Sequence, residues 1–146
     1  MPETPFSNYK SIEEILLESG KINQQQLEAI RIASVNTGQN TKDVIRDGNY
    51  VSADDYALAY SKAYNVEYIT LKGKKIDPAL FDLLTLDYIK KYEAVPFNRN
   101  SEVLQVAMTD PVNLEVIEFI ERKAGLKVIA YVTTKQDISN VLEEAK

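Results

Sequence analysis

The sequence contains no cysteine and no histidine. Their absence removes disulfides, thiolate nucleophiles, Cys/His zinc sites and any catalytic triad that needs an imidazole. It contains only five glycines, and neither GxGxxG nor GxxxxGK[ST] occurs, so a glycine-rich phosphate cradle is lacking. No apolar run approaches the roughly 20 residues that a bilayer-spanning helix needs. Residues 1–11 show no apolar stretch behind a basic one, the mark of a secretory signal. Basic side chains are in the minority. The net charge is −5, so no global positive field exists to attract nucleic acid or anionic lipid. Residues 1–75 carry nine basic and ten acidic groups, and residues 76–146 carry eight and twelve, which makes the second half the poorer host for an anion. No EF-hand spacing is present, so no metal site is expected.

What is present suits a soluble globular chain of one domain or two small ones, with 45% hydrophobic and 27% charged residues. Residues 1–9 are polar, with two prolines, and read as a leader. Ser11 and Glu14 then open a short helix with Ile12, Ile15 and Leu16 on its apolar side, and Gly20 ends it. Asn23 and Gln26 form a second cap, starting a helix to about residue 36 whose apolar positions are Leu27, Ile30, Ile32 and Val35. The arrangement recurs 29 residues on. Asn40 stands where Ser11 stood, Val44 and Ile45 follow, Asn49 replaces Gly20, and Ser52 caps a helix to about Tyr64. Gly and Asn both tolerate a left-handed backbone, so the substitution keeps the turn. Two copies of a helix–turn–helix unit are expected, packed on each other.

The second half changes character. Residues 66–71 (VEYITL) read as a strand, and the basic, glycine-containing residues 72–75 as a linker. Asp77-Pro78 caps a short helix, residues 86–92 make another, and residues 94–97 form a strand whose Pro96 confines it to an edge. Residues 102–108, 111–124 and 127–132 read as strand, helix and strand: a βαβ unit with a parallel pair and a right-handed crossover. Asp110-Pro111 is expected to cap its helix, with Val112, Leu114 and Val116 in the apolar stripe, and Gly125 closes it. Thr134 caps a last helix. The fold class is therefore α+β, with a helical-repeat subdomain over residues 1–72 and a small α/β sandwich over residues 73–146.

Paired carboxylates such as Glu13-Glu14, Asp54-Asp55 and Glu143-Glu144 read as first-turn caps or solvated charge, because acid–base catalysis needs two differently tuned environments. No catalytic residue is assigned. Tyr56, Tyr60 and Tyr64 share one helical face and read as a packed stripe between the halves, or as a partner interface.

Two repeats of this form precede Leu104-Gln-Val-Ala-Met-Thr-Asp-Pro-Val-Asn113, which itself follows Tyr92 and Pro96. Together they resemble the N-terminal domain of the secretion ATPases, the type II secretion and type IV pilus assembly motors of the GspE/PilB family, whose MshEN subgroup binds cyclic di-GMP. The resemblance implies a non-catalytic module ahead of the chain's own C-terminal ATPase domain. It further implies docking on the cytoplasmic part of an inner-membrane platform protein, and hence a cytoplasmic domain peripheral to that membrane, without direct insertion and without nucleic acid. On this reading the chain is an excised domain.

The dinucleotide-binding subgroup starts each repeat near R-L-G-x-x-L-V, where this chain has Ser11-Ile-Glu and Asn40-Thr-Lys. Both arginines are replaced, and Glu13 would repel a dianionic ligand, so cyclic di-GMP binding is expected to be weak or lost. The alternative is a site that survives, lined by Ser11, Ile15, Leu16, Asn40, Lys42, Val44 and Ile45. No other cofactor is implied.

Overall fold

The computed structural model describes residues 10–145, and the chain divides between Asn65 and Val66 into two units. Among the described residues there are seven α-helices and a three-stranded sheet, an α+β fold.

The first unit consists of α1 (Ile12–Glu18), α2 (Gln24–Thr37), α3 (Thr41–Asp47) and α4 (Ala53–Tyr64). Each starts on the side chain the sequence offers. Ser11 accepts from Glu14 N at 3.2 Å, Asn40 from Asp43 N at 3.0 Å and Ser52 from Asp55 N at 3.1 Å. Asn23 and Gln26 close a reciprocal capping box. Residues 29 apart have matching environments. Leu16 and Ile45 are buried, as are Leu27 and Tyr56, and Ile30 and Ala59. Within the unit α1 packs against α3 and α4, and α2 against α3. Ile32 and Val35 depart from the expected stripe. They are 60% and 83% exposed, because the buried side of α2 is narrow and runs through Leu27 and Ile30.

Gly20 and Asn49 both take left-handed backbone, at φ +76° and +58°, which confirms the equivalence of the two turns. A Cβ at Gly20 would meet nothing within 4 Å, so the site constrains only the backbone. Gly20→Ala is expected to cost about 1 kcal/mol, while Asn49→Gly should be neutral or slightly stabilising. Urea melts of the two variants check this, and equal losses in both would contradict it.

The second unit holds α5 (Leu86–Tyr92), β1 (Ala94–Arg99), β2 (Val103–Met108), α6 (Leu114–Ala124), β3 (Lys127–Val132) and α7 (Lys135–Glu144), preceded by a 3-10 helix at Pro78–Asp82. The strand order is β1-β2-β3, with β1 antiparallel and β3 parallel to β2. Asn100 Oδ1 fixes the β1–β2 turn by accepting from Glu102 N and Val103 N, both at 2.8 Å. Pro96 sits in the edge strand, next to a bulge, where its missing N–H is tolerated. Leu104, Val106 and Met108 alternate inward from β2 into one core with Ile89, Ile120 and Ile138. Phe119 of α6 meets Tyr88 and Tyr92 of α5 at ring-centroid distances of 5.1 and 4.9 Å.

Three expectations are corrected here. Asp110 does not cap α6: Asn113 does, accepting from Val116 N at 3.4 Å, while Asp110 O receives Asn113 N in the turn before it. The helix therefore starts later, Pro111 is buried in that turn, and Leu114 is 67% exposed. Residues 66–71 are not a strand. Tyr68 makes an isolated parallel bridge to Val132, and the backbone then turns to Asp137, whose carboxylate accepts Leu71 N at 2.8 Å. Residues 66–72 thus belong to the second unit, and the expected division at 72/73 falls inside it.

The outer edge of β3 is closed by other means. Val128 N donates to Glu121 Oε2 at 3.0 Å, and Val132 N to Glu67 O at 2.9 Å. These bonds occupy donors near both ends of that edge, which disfavours pairing with a foreign strand.

Candidate functional site: a mixed-charge cleft in the helical unit

A cleft of about 380 Å³ opens in the first unit between the starts of α1 and α3 and the end of α4. Its lining includes Lys10, Ser11, Glu13, Glu14, Thr41, Lys42 and Tyr64. The repeat brings these residues together, because the starts of the two short helices are equivalent in the two copies and lie side by side. Of the residues expected to hold a ligand, Ser11 and Lys42 line the cleft. Leu16, Val44 and Ile45 do not; they are core residues of the unit. Asn40 is occupied as the cap of α3, and Ile15 lies half-buried on α1 outside the lining.

Tyr56, Tyr60 and Tyr64 stack along α4, with ring centroids 6.0 and 4.6 Å apart in succession. Tyr60 is fully buried and Tyr56 nearly so, so a partner could reach only Tyr64 among the three. The Lys42 ammonium stands 5.8 Å from the centroids of both Tyr60 and Tyr64, a cation–π arrangement that ties α3 to α4. One turn further along α3, Arg46 pairs with Asp43 and Asp47, and the hydrogen bond to Asp47 raises its pKa against the cost of burial.

Glu13 is the residue whose role is not legible from composition. It is only 6% exposed, yet among the described residues no hydrogen bond or ion pair reaches its carboxylate. No buried side-chain oxygen is both sealed and unbonded among those residues, so its oxygens keep contact with the cleft. Its place in the first turn of α1 lets the helix N-terminus offset part of the burial cost. The i, i+1 pair Glu13-Glu14 reads alike in sequence, but only the structure separates them: Glu14 is exposed and accepts the Ser11 hydroxyl at 2.9 Å, while Glu13 turns inward. No cluster of three or more Asp, Glu, His or Cys side chains able to hold a metal exists among the described residues.

The fold is thus a doubled helix–turn–helix unit followed by a small α/β unit. The chain belongs to the MshEN domain family, whose pattern matches residues 64–146. That span covers the second unit, so the family assignment rests on it and the repeats lie outside the matched stretch. The type IV pilus assembly ATPase PilB of Myxococcus xanthus is 25% identical over 130 residues, 89% of this chain and 23% of the relative. PilB of Thermus thermophilus is 26% identical over 122 residues, 82% of this chain and 14% of the relative. The chain thus spans less than a quarter of the length of these curated relatives. Among solved structures, MshE with cdg superposes at a TM-score of 0.76 with 20% identity, covering 94% of this chain and 99% of that one. The N-terminal domain of XpsE superposes at 0.73 with 18% identity, over 98% and 97% of the two chains. The fold expected from the resemblance to N-terminal domains of secretion and pilus ATPases is therefore the fold found.

Proposed function

We propose that the chain is the non-catalytic docking and coupling domain of a type II secretion or type IV pilus assembly ATPase, and that its helical unit binds the cytoplasmic part of an inner-membrane platform protein. The observation that carries this reading is the exposed apolar pair Ile32 and Val35, one turn apart on α2. Exposed aliphatic side chains on the outward side of a helix suit a protein interface. On this reading the domain works in the cytoplasm at the inner membrane through its partner. No helix among the described residues is long and apolar enough to cross a membrane.

The test is a titration of the chain with the purified cytoplasmic segment of the platform protein. Saturable binding is expected, and the double substitution Ile32→Asp, Val35→Asp should weaken it at least tenfold while leaving the urea midpoint nearly unchanged. Undiminished binding by that variant would sink the placement on α2.

A cyclic di-GMP sensor is the second reading, favoured by the cleft at the paired repeat starts. The same cleft holds the Glu13 carboxylate, which opposes a dianion, and both arginine positions are filled by Ser11 and Asn40. Calorimetry with cyclic di-GMP at moderate salt should therefore give no saturable heat. One-to-one micromolar binding, abolished by Lys42→Glu, would establish the sensor instead.

A further inference from the structure

Four charged side chains line the cleft, and three of them are already engaged. Lys10 pairs with Glu18, Glu14 accepts the Ser11 hydroxyl, and Lys42 lies against the rings of Tyr60 and Tyr64. Glu13 is left as a carboxylate more than nine-tenths buried, facing the open space without a partner among the described residues. A buried charge is normally paired. The one here sits in the first turn of α1 and lines an open cleft, where an external donor can supply the missing partner.

We propose that the cleft binds a guanidinium group, the side chain of an arginine presented by a partner protein, with Glu13 as the anionic acceptor and the Tyr64 ring as the wall it stacks on. The planar guanidinium fork matches a carboxylate with two parallel N–H···O bonds and can lie on an aromatic face at the same time. A metal ion is a poor fit, because no group of three or more acidic ligands forms around Glu13 among the described residues. A phosphate or other anion would meet the same carboxylate with the wrong sign. This deepens the docking reading, on which it rests only for the partner being a protein.

The probe is N-acetyl-arginine amide, titrated into the full chain and followed by 1H–15N NMR. Saturable shifts in the millimolar range are expected, confined to Glu13, Thr41 and Tyr64 and their neighbours. The isosteric Glu13→Gln variant, shown to be folded by its own spectrum, should bind at least tenfold more weakly. Lys42→Gln removes a competing cation and should bind more tightly, the opposite of what an anion site would show. Absent shifts, equal binding by Glu13→Gln, or equal binding of N-acetyl-glutamine amide would each overturn the proposal. The platform-protein titration reads the docking role separately. Arginine binding without platform binding removes the docking reading and leaves the cleft, and the reverse result removes the cleft.

Discussion

Tyr60→Ala is expected to lower the stability of the first unit by about 3–5 kcal/mol, the range for truncating a fully buried aromatic residue. Tyr60 has no exposed surface, and its ring touches Tyr56 and Tyr64 along α4. Losing it leaves a void that is hard to close, since apart from Tyr56 the buried residues of α4 are Ala57, Ala59 and Ala63, which are too small to fill it. The variant also removes one of the two rings beneath Lys42, loosening α3 from α4. Tyr60→Phe keeps the ring and should lose much less. Urea unfolding followed by NMR peak loss separates the units: residues 10–65 should unfold early while residues 66–145 keep their midpoint. A loss below about 1 kcal/mol would show that the aromatic stripe is not the pillar of this unit.

Asp137→Ala should be comparably damaging to the second unit, at about 3 kcal/mol, because it strands several donors at once. The Asp137 side chain is 4% exposed by residue and accepts from Leu71 N at 2.8 Å, Thr70 Oγ1 at 3.1 Å and Thr133 Oγ1 at 3.3 Å. Deleting the carboxylate leaves the buried Leu71 N–H without its acceptor. Asp137→Asn keeps one acceptor oxygen and should retain about half of the stability. Hydrogen exchange at Leu71 gives the local readout: its amide should be protected in the parent chain and exchange fast in Asp137→Ala. Continued protection there would mean that another group holds the segment.

The contrast between these two residues explains what could be read from the chain and what could not. Helix starts were legible wherever the cap and the first-turn residue are neighbours in sequence, as at Ser11, Asn23, Asn40, Ser52 and Thr134, because that chemistry is local. The βαβ unit was legible because its strand and helix periods differ. Asp110-Pro111 misled for a related reason: it satisfies every local rule for a cap, but Asn113 satisfies them too, and only packing of the turn chooses between them. Residues 66–71 alternate like a strand, and what denies them a ladder is a side chain 66 residues further on, Asp137. In the site, Ser11 and Lys42 could be located from the repeat alone. The inward turn of Glu13 could not, since it depends on which side of α1 faces α3 and α4. The apolar residues placed in the ligand site serve the core instead, as short helices have few positions to spare.

The clasp at Asp137 also bears on how load enters the second unit. Tension arriving along the backbone at Val66 meets, among other contacts, the hydrogen bonds between Val132 N and Glu67 O and between Ile69 N and Val132 O before it reaches the Asp137 carboxylate at Thr70 and Leu71. These peel in sequence. Freeing residues 66–69, whose extended length is at most roughly 13 Å, would let that end move while the sheet and its helices stay intact. The segment is in that sense a short graded tether, stretching before the unit it is tied to yields.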